Sequence, residues 1–144
     1  MHFLGLSFDF HDASATVLSD GRIVAAAHEE RFTRVKHDDV FPRSAIQHCL
    51  SVARISARDL DGAVFYEDSL LKFDRIVWAA MREPGKGRIY LDRVARDWFK
   101  KRKFEACDRI AEHLGIAKNK VFQATHHDSH SDYPHVPRSG LVGW

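Results

Sequence analysis

Phe3-Leu4-Gly5-Leu6-Ser7-Phe8, Ala13-Ser14-Ala15-Thr16-Val17-Leu18 and Arg22-Ile23-Val24-Ala25-Ala26-Ala27-His28 follow one another with only a polar corner and a tight turn between them. Short apolar runs bounded by turn residues predict strands. Ser19-Asp20-Gly21 joins the second run to the third, and Asp-Gly supplies the positive φ that a tight hairpin demands. The chain therefore opens with three antiparallel strands. The third is apolar from Ile23 to Ala27, which predicts a central strand covered on both faces.

Working outward, the segment from Glu29 to Asp39 is dense in charge and has no clean period. Pro42 starts a helix, because its locked φ and missing N–H suit a first turn. Ala45, Ile46, Cys49, Leu50 and Ala53 form its apolar stripe, so it packs on the sheet. Ser56-Ala57-Arg58-Asp59 reads as a variant capping box. Gly62 to Tyr66 is a fourth strand.

From Ser69 to Met81, Leu70, Phe73, Ile76, Val77 and Ala80 repeat at helical period, and Pro84-Gly85 ends that element. A long helix is predicted from Ile89 to Leu114, with Leu91, Val94, Trp98, Cys107, Ile110 and Leu114 inward, a break near Arg102 and Gly115 as its stop. Lys120 to Ala124 is the fifth strand. It leads into His126-His127-Asp128-Ser129-His130, and the stretch from Asp132 to Trp144 offers no regular element.

At 144 residues, with 44% hydrophobic and 29% charged side chains, the chain is sized for one domain with a real core. Its 22 basic and 20 acidic residues leave a formal charge of only +2, so the molecule as a whole is no magnet for nucleic acid or membrane. Lys100-Lys101-Arg102-Lys103 is a local basic run inside a helical pattern and reads as a solvated face. Cys49 and Cys107 fall at apolar helix positions without the spacing of a metal knuckle or redox motif. The N-terminal run lacks a basic leader and carries Asp9, and no segment has the length of a membrane span. These features predict a cytoplasmic protein in a reducing compartment.

Three antiparallel strands, helix, strand, helices, strand is the order of an α/β ribonuclease H-like half-domain, the layout of the actin, sugar kinase and chaperone ATPase superfamily. In that layout the first turn faces nucleotide phosphates. Here it is Asp9-Phe10-His11-Asp12-Ala13-Ser14, with small residues that let the backbone approach an anion. His11 can give a hydrogen bond or a proton to a phosphate or carbonyl oxygen, and Asp12 can orient it. The same composition also makes an ordinary turn. Arg31, Arg34, Lys36 and His37 crowd four cationic or protonatable groups into seven positions, which suits a phosphoryl dianion. The alternative is a solvated loop paired internally by Glu29, Glu30, Asp38 and Asp39. If a helix begins near Thr125, His126 and His130 project from one face and can share a metal ion. Otherwise His126 ends the strand and His127 and His130 face water.

Phe10-His11-Asp12-Ala13-Ser14-Ala15, Ile23 through Asp38 with its Glu29-Glu30-Arg31-Phe32-Thr33-Arg34 block, and Phe41-Pro42-Arg43-Ser44-Ala45-Ile46 closely resemble the start of the O-carbamoyltransferases of nodulation-factor and antibiotic biosynthesis. Val64-Phe65-Tyr66-Glu67, Leu71-Lys72-Phe73-Asp74-Arg75 and His126 to His130 also resemble that family, so the likeness runs from about residue 3 to residue 131. The resemblance implies transfer of the carbamoyl group of carbamoyl phosphate to a hydroxyl of a sugar or natural product, through a carbamoyl-adenylate made from ATP. It also implies kinship with the tRNA threonylcarbamoyladenosine synthase subunit and a divalent metal, iron foremost. Carried over, His126 and His130 are metal ligands. His11 and Lys36 contact carbamoyl phosphate, Arg34 and His37 assist, and Asp12 and Ser14 line the nucleotide-phosphate turn.

The family pattern continues past the histidines to an Asp-Gly strand end, whereas Ser139-Gly140-Leu141-Val142-Gly143-Trp144 has none. The expectation is an N-terminal carbamoyltransferase-like half-domain over residues 1–131, with a helical insertion at about 69–114, and an irregular, degraded tail over 132–144. Such a chain is truncated or split. It has little transferase activity unless a complementing chain carries the rest. The alternative function is a non-catalytic remnant or interaction module of the same fold. A weaker third reading, a basic RNA-binding accessory, rests on Lys100 to Lys103.

Overall fold

The computed structural model describes residues 1–10 and 12–124. The strands are β1 (His2–Ser7), β2 (Ser14–Ser19), β3 (Arg22–His28), β4 (Gly62–Phe65) and β5 (Val121–Gln123). The α-helices are α1 (Glu30–Thr33), α2 (Arg43–Ala53), α3 (Ser69–Arg82), α4 (Pro84–Lys100) and α5 (Ala106–Leu114).

The strands form one mixed sheet in the order β3-β2-β1-β4-β5. The first three are antiparallel neighbours, with Leu4 opposite Val17 and Ala15 opposite Ala27. β4 lies parallel to β1, and β5 parallel to β4. It follows that β1, β3, β4 and β5 all run the same way. Their carboxyl ends, Ser7, His28, Phe65 and Gln123, reach one edge of the sheet, where β2 begins at Ser14.

Strand side chains alternate between faces, and one face is the core. Leu4, Leu6, Ala15, Val17, Ala63 and Phe65 point into it and are buried with Ala45, Ile46 and Cys49 of α2 and Ala106, Ile110 and Leu114 of α5. At about 25 cal/mol per Å² of apolar surface, this shared burial is what holds the two helices to the sheet. Phe8 continues the core toward the strand ends, its ring 4.6 Å from Phe65 and 4.9 Å from Phe41.

The expectation that β3 is central and covered on both sides is corrected by the sheet order. Among the described residues β3 is an outer strand, and its Ile23 is 64% exposed. A run made mostly of small alanines carries little side-chain bulk to cover, so it does not require layers on both faces. Here only Ala25 turns fully into the core.

Local signals fared better. Gly21 takes φ +77° in the predicted hairpin turn and Gly115 takes +65° at the end of α5. Ser56 and Asp59 form the reciprocal capping box. The long helix does break where expected: Arg102 is left-handed at φ +52°, and one turn of 3-10 helix separates α4 from α5. It starts earlier than expected, because Pro84 opens α4 as its first residue instead of merely closing α3. Leu70, expected inward, is exposed, and Cys107 is only half-buried. α3 and α4 pack so closely that a Cβ on Gly87 would sit 1.9 Å from the Ala80 carbonyl oxygen.

Candidate functional site

The corner between β1 and β2 sits at the edge where the parallel strands end. Two of its residues, Asp9 and Asp12, adopt left-handed φ of +66° and +51°. Such conformations cost non-glycine residues on the order of 1 kcal/mol and persist only where neighbours hold them. Here the neighbours are backbone groups of the charged segment. The Asp9 N–H donates to the Asp39 carbonyl and the Ala13 N–H to the Asp38 carbonyl, each at 2.8 Å.

That charged segment folds back on itself. α1 ends at Arg34, which is left-handed at φ +60°, and His37 follows at +57°. The His37 N–H donates to Glu30 Oε2 at 3.3 Å, and His37 Nδ1 lies 2.9 Å from Asp12 Oδ1. Asp12, Glu30, Arg31, Arg34, Val35, Lys36 and His37 thereby line one open depression of about 440 Å³.

The acidic residues of the segment have structural employment. Buried Glu29 accepts the Ser44 and Ala45 amides at 3.1 and 2.8 Å, so its carboxylate occupies the amino end of α2. Asp38 accepts the Val40 amide, and Asp39 pairs with Lys101. Arg31, Arg34 and Lys36 make no ion pair among the described residues, and all three are exposed. A depression with three fixed cations against two carboxylates, both engaged with His37, attracts an added anion.

Of the residues proposed from sequence, Asp12, Arg34, Lys36 and His37 are brought together. Ser14 is not among the lining residues; as the first residue of β2 it pairs with Ser7 and His28. His11, His126 and His130 lie outside the described residues. Among the described residues no group of three or more His, Cys, Asp or Glu is disposed to hold a metal ion. The described residues therefore offer no metal cage by themselves. β5 ends at the same edge as the other parallel strands, and just beyond it Ala124 donates its N–H to the Phe65 carbonyl at 2.9 Å.

A second group of charges, not foreseen from sequence, lies on the other flank of the corner. Arg109 donates to the Asp9 carboxylate and, at 2.9 Å, to the Lys101 carbonyl. Its guanidinium also stands 4.9 Å from the Phe8 ring centroid. Burial pushes the Asp9 carboxyl above its ordinary range, and Arg109 opposes that shift. Glu67, buried at the end of β4, pairs with Lys72 and hydrogen-bonds the Tyr66 phenol. Burial drives the Tyr66 pKa well above its usual value, so the phenol stays protonated. The basic run expected to be solvated is thus partly structural: Lys103 is buried, 3.2 Å from Asp97 and against the Trp98 ring. Arg109 stands 100 positions from Asp9, beyond the reach of any local pattern.

The five strands and their packed helices define an α/β domain with a mixed sheet, its charged groups gathered near the carboxyl ends of the parallel strands. Residues 2–137 match the family model described as carbamoyltransferase N-terminus, and the chain belongs to that family. It is 35% identical to an uncharacterized protein of Synechocystis over 136 residues, covering 90% of this chain and 22% of that protein. Over 56 residues, 39% of this chain, it is 41% identical to the nodulation protein NolNO of Sinorhizobium fredii, of which the match covers 8%. A match of the same length is 39% identical to an uncharacterized 19.2 kDa protein of Rhizobium etli, covering 33% of it. The chain thus spans only about a fifth of the length of the Synechocystis relative.

Proposed function

We propose that this chain binds carbamoyl phosphate as the N-terminal half-domain of a carbamoyltransferase. The transferase hydrolyses carbamoyl phosphate to carbamate and phosphate, joins the carbamate oxygen to the α-phosphorus of ATP as pyrophosphate leaves, and passes the carbamoyl group of that adenylate to a hydroxyl of a sugar or natural product as AMP leaves. One observation carries the reading: Asp12, on the β1–β2 corner, shares a single depression with Arg34, Lys36 and His37. The sheet order and the parallel strand ends support a ribonuclease H-like half-domain over residues 1–131, with α3 to α5 as its helical insertion and 132–144 as a tail.

Adenylate formation brings a carbamate oxygen to a phosphorus that already carries negative charge, so fixed cations must screen one anion from the other. Lys36 contributes a point charge and Arg34 a planar fork, both suited to phosphoryl oxygens. His37, braced by Asp12, contributes an imidazole that can hold or release a proton beside them. His11 lies in the same corner by sequence and is assigned to the carbamoyl phosphate, with Asp12 and Ser14 on the nucleotide-phosphate side. His126 and His130 are assigned to a divalent ion, which when bound supplies further positive charge. A second half-domain, supplied by a complementing chain or by the part of the family beyond the matched residues, would close on the adenosine.

Binding, not turnover, is the direct test. Isothermal titration of the chain with carbamoyl phosphate is expected to show saturable binding that Lys36→Ala and Arg34→Ala each weaken. No heat from the parent chain, or an affinity in both variants unchanged from the parent's, would falsify the reading.

A second reading, a non-catalytic interaction module of the same fold, draws on the exposed Trp78 and Met81 of α3 and Ile89 and Phe99 of α4. It predicts self-association or partner capture without affinity for carbamoyl phosphate.

A further inference from the structure

The elbow between α4 and α5 touches the anion corner through side chains that the binding reading does not use. Arg109 reaches from α5 to the Asp9 carboxylate while its other contact, the Lys101 carbonyl, ties it to the end of α4. Lys101 in turn pairs with Asp39, whose carbonyl holds the Asp9 N–H. Asp9 is therefore gripped twice, at its carboxylate by Arg109 and at its amide by a residue that the same elbow restrains. Phe8 and Phe41 wall this contact, with ring centroids 4.9 and 5.6 Å from the guanidinium.

We infer that Arg109 is a positioning residue: by fixing Asp9 it holds the left-handed corner that presents Asp12 to His37 and Lys36. The inference rests on the carbamoyl phosphate reading for its functional consequence, but its structural content does not.

The reason is steric and electrostatic together. Three positions separate Asp9 from Asp12, and both are left-handed non-glycine residues. A corner of that shape relaxes toward ordinary φ values unless its ends are pinned. The far end is pinned at Ala13, whose N–H donates to the Asp38 carbonyl and whose carbonyl accepts the Glu29 N–H. At the near end, the Asp9 carboxylate is buried in an apolar wall and would leave it for water if its cation were removed. Rotation of Asp9 out of that wall moves Asp12 away from His37.

Arg109→Met keeps an unbranched apolar stem and removes the charged guanidinium. Arg109→Lys keeps the charge, and Asp9→Asn/Arg109→Met removes both partners. The first readout is the set of backbone amide NMR signals of Asp12, Ala13 and His37. They are expected to shift in Arg109→Met and to return toward their parent positions in Arg109→Lys. The second is carbamoyl phosphate affinity, expected to fall about tenfold in Arg109→Met, with the double variant no worse than the single. Thermal unfolding monitored by circular dichroism selects the temperature at which every variant is folded.

Unmoved amide signals at Asp12 and His37 would overturn the inference, as would an unchanged affinity in a parent chain that does bind. If the parent chain binds no carbamoyl phosphate, the functional reading fails, and the amide signals still decide whether Arg109 sets the corner.

Discussion

His37 Nδ1 lies 2.9 Å from Asp12 Oδ1, joining the β1–β2 corner to a loop 25 positions further along the chain. Both side chains are substantially open to water, at 65% and 36% exposure. Exposed pairs of this kind contribute about 1 kcal/mol at most, so the contact orients groups more than it stabilises the fold. Asp12→Asn is expected to change unfolding free energy by less than about 1 kcal/mol while weakening carbamoyl phosphate binding. Urea denaturation and titration calorimetry on the same samples separate the two, and a stability loss with unchanged affinity would reverse the assignment.

Glu29 presents the opposite case. Its buried carboxylate accepts two amides at the start of α2, where three residues of the core, Ala45, Ile46 and Cys49, are anchored. Glu29→Ala leaves those amides without partners and is expected to cost about 2 kcal/mol. Glu29→Gln, which keeps an acceptor but not the charge, should recover part of that loss in chemical denaturation.

Two glycines of α4 should respond with opposite signs. Helix propensity alone favours alanine over glycine by up to about 1 kcal/mol. At Gly85 a Cβ meets nothing within 4 Å among the described residues, so Gly85→Ala is expected to be neutral or mildly stabilising. At Gly87 the new atom would collide with the Ala80 carbonyl oxygen, 1.9 Å away, and α3 and α4 would have to part. Gly87→Ala should therefore destabilise by about 1–3 kcal/mol. Melting curves of the two variants that moved in the same direction would contradict the close helix crossing.

His113 gives the fold a pH dependence with a definite sign. Partial desolvation of a side chain that still reaches water, and then the nearby Arg43 guanidinium, hold its pKa below the ordinary imidazole value. The unfolded chain therefore binds the proton more readily than the folded one. The neutral ring's contribution to stability is complete above the ordinary value and is lost as pH falls through the depressed one. Stability should decline over that interval in the parent and decline less in His113→Gln. Arg43→Gln should raise the His113 pKa in an NMR titration of the imidazole, and a fall would show that the charge acts differently.

How much of this was legible beforehand depended on distance along the chain. The hairpin at Asp20-Gly21, the Ser56–Asp59 box, the stop at Gly115 and the interruption near Arg102 all follow from φ preferences and hydrogen bonds between residues a few positions apart. The cationic character of the segment from Arg31 to His37 was legible for the same reason. Which of its acids were already occupied was not: Glu29 caps a helix that starts 14 positions later, and Asp39 meets Lys101 from another layer. In the basic run Lys100 and Arg102 are exposed as expected, but Lys101 and Lys103 meet Asp39 and Asp97, because a helical pattern shows which face is polar, not what that face meets.

The sequence by itself determined the family, the order of strands and helices, and the residue types from which an anion site could be made. Only the tertiary structure decided that β3 is an outer strand among the described residues, that Asp12 faces His37, and that Arg109 grips Asp9. The physical reason is that local preferences fix each element, whereas sheet register and the burial of one shared face fix which distant elements meet.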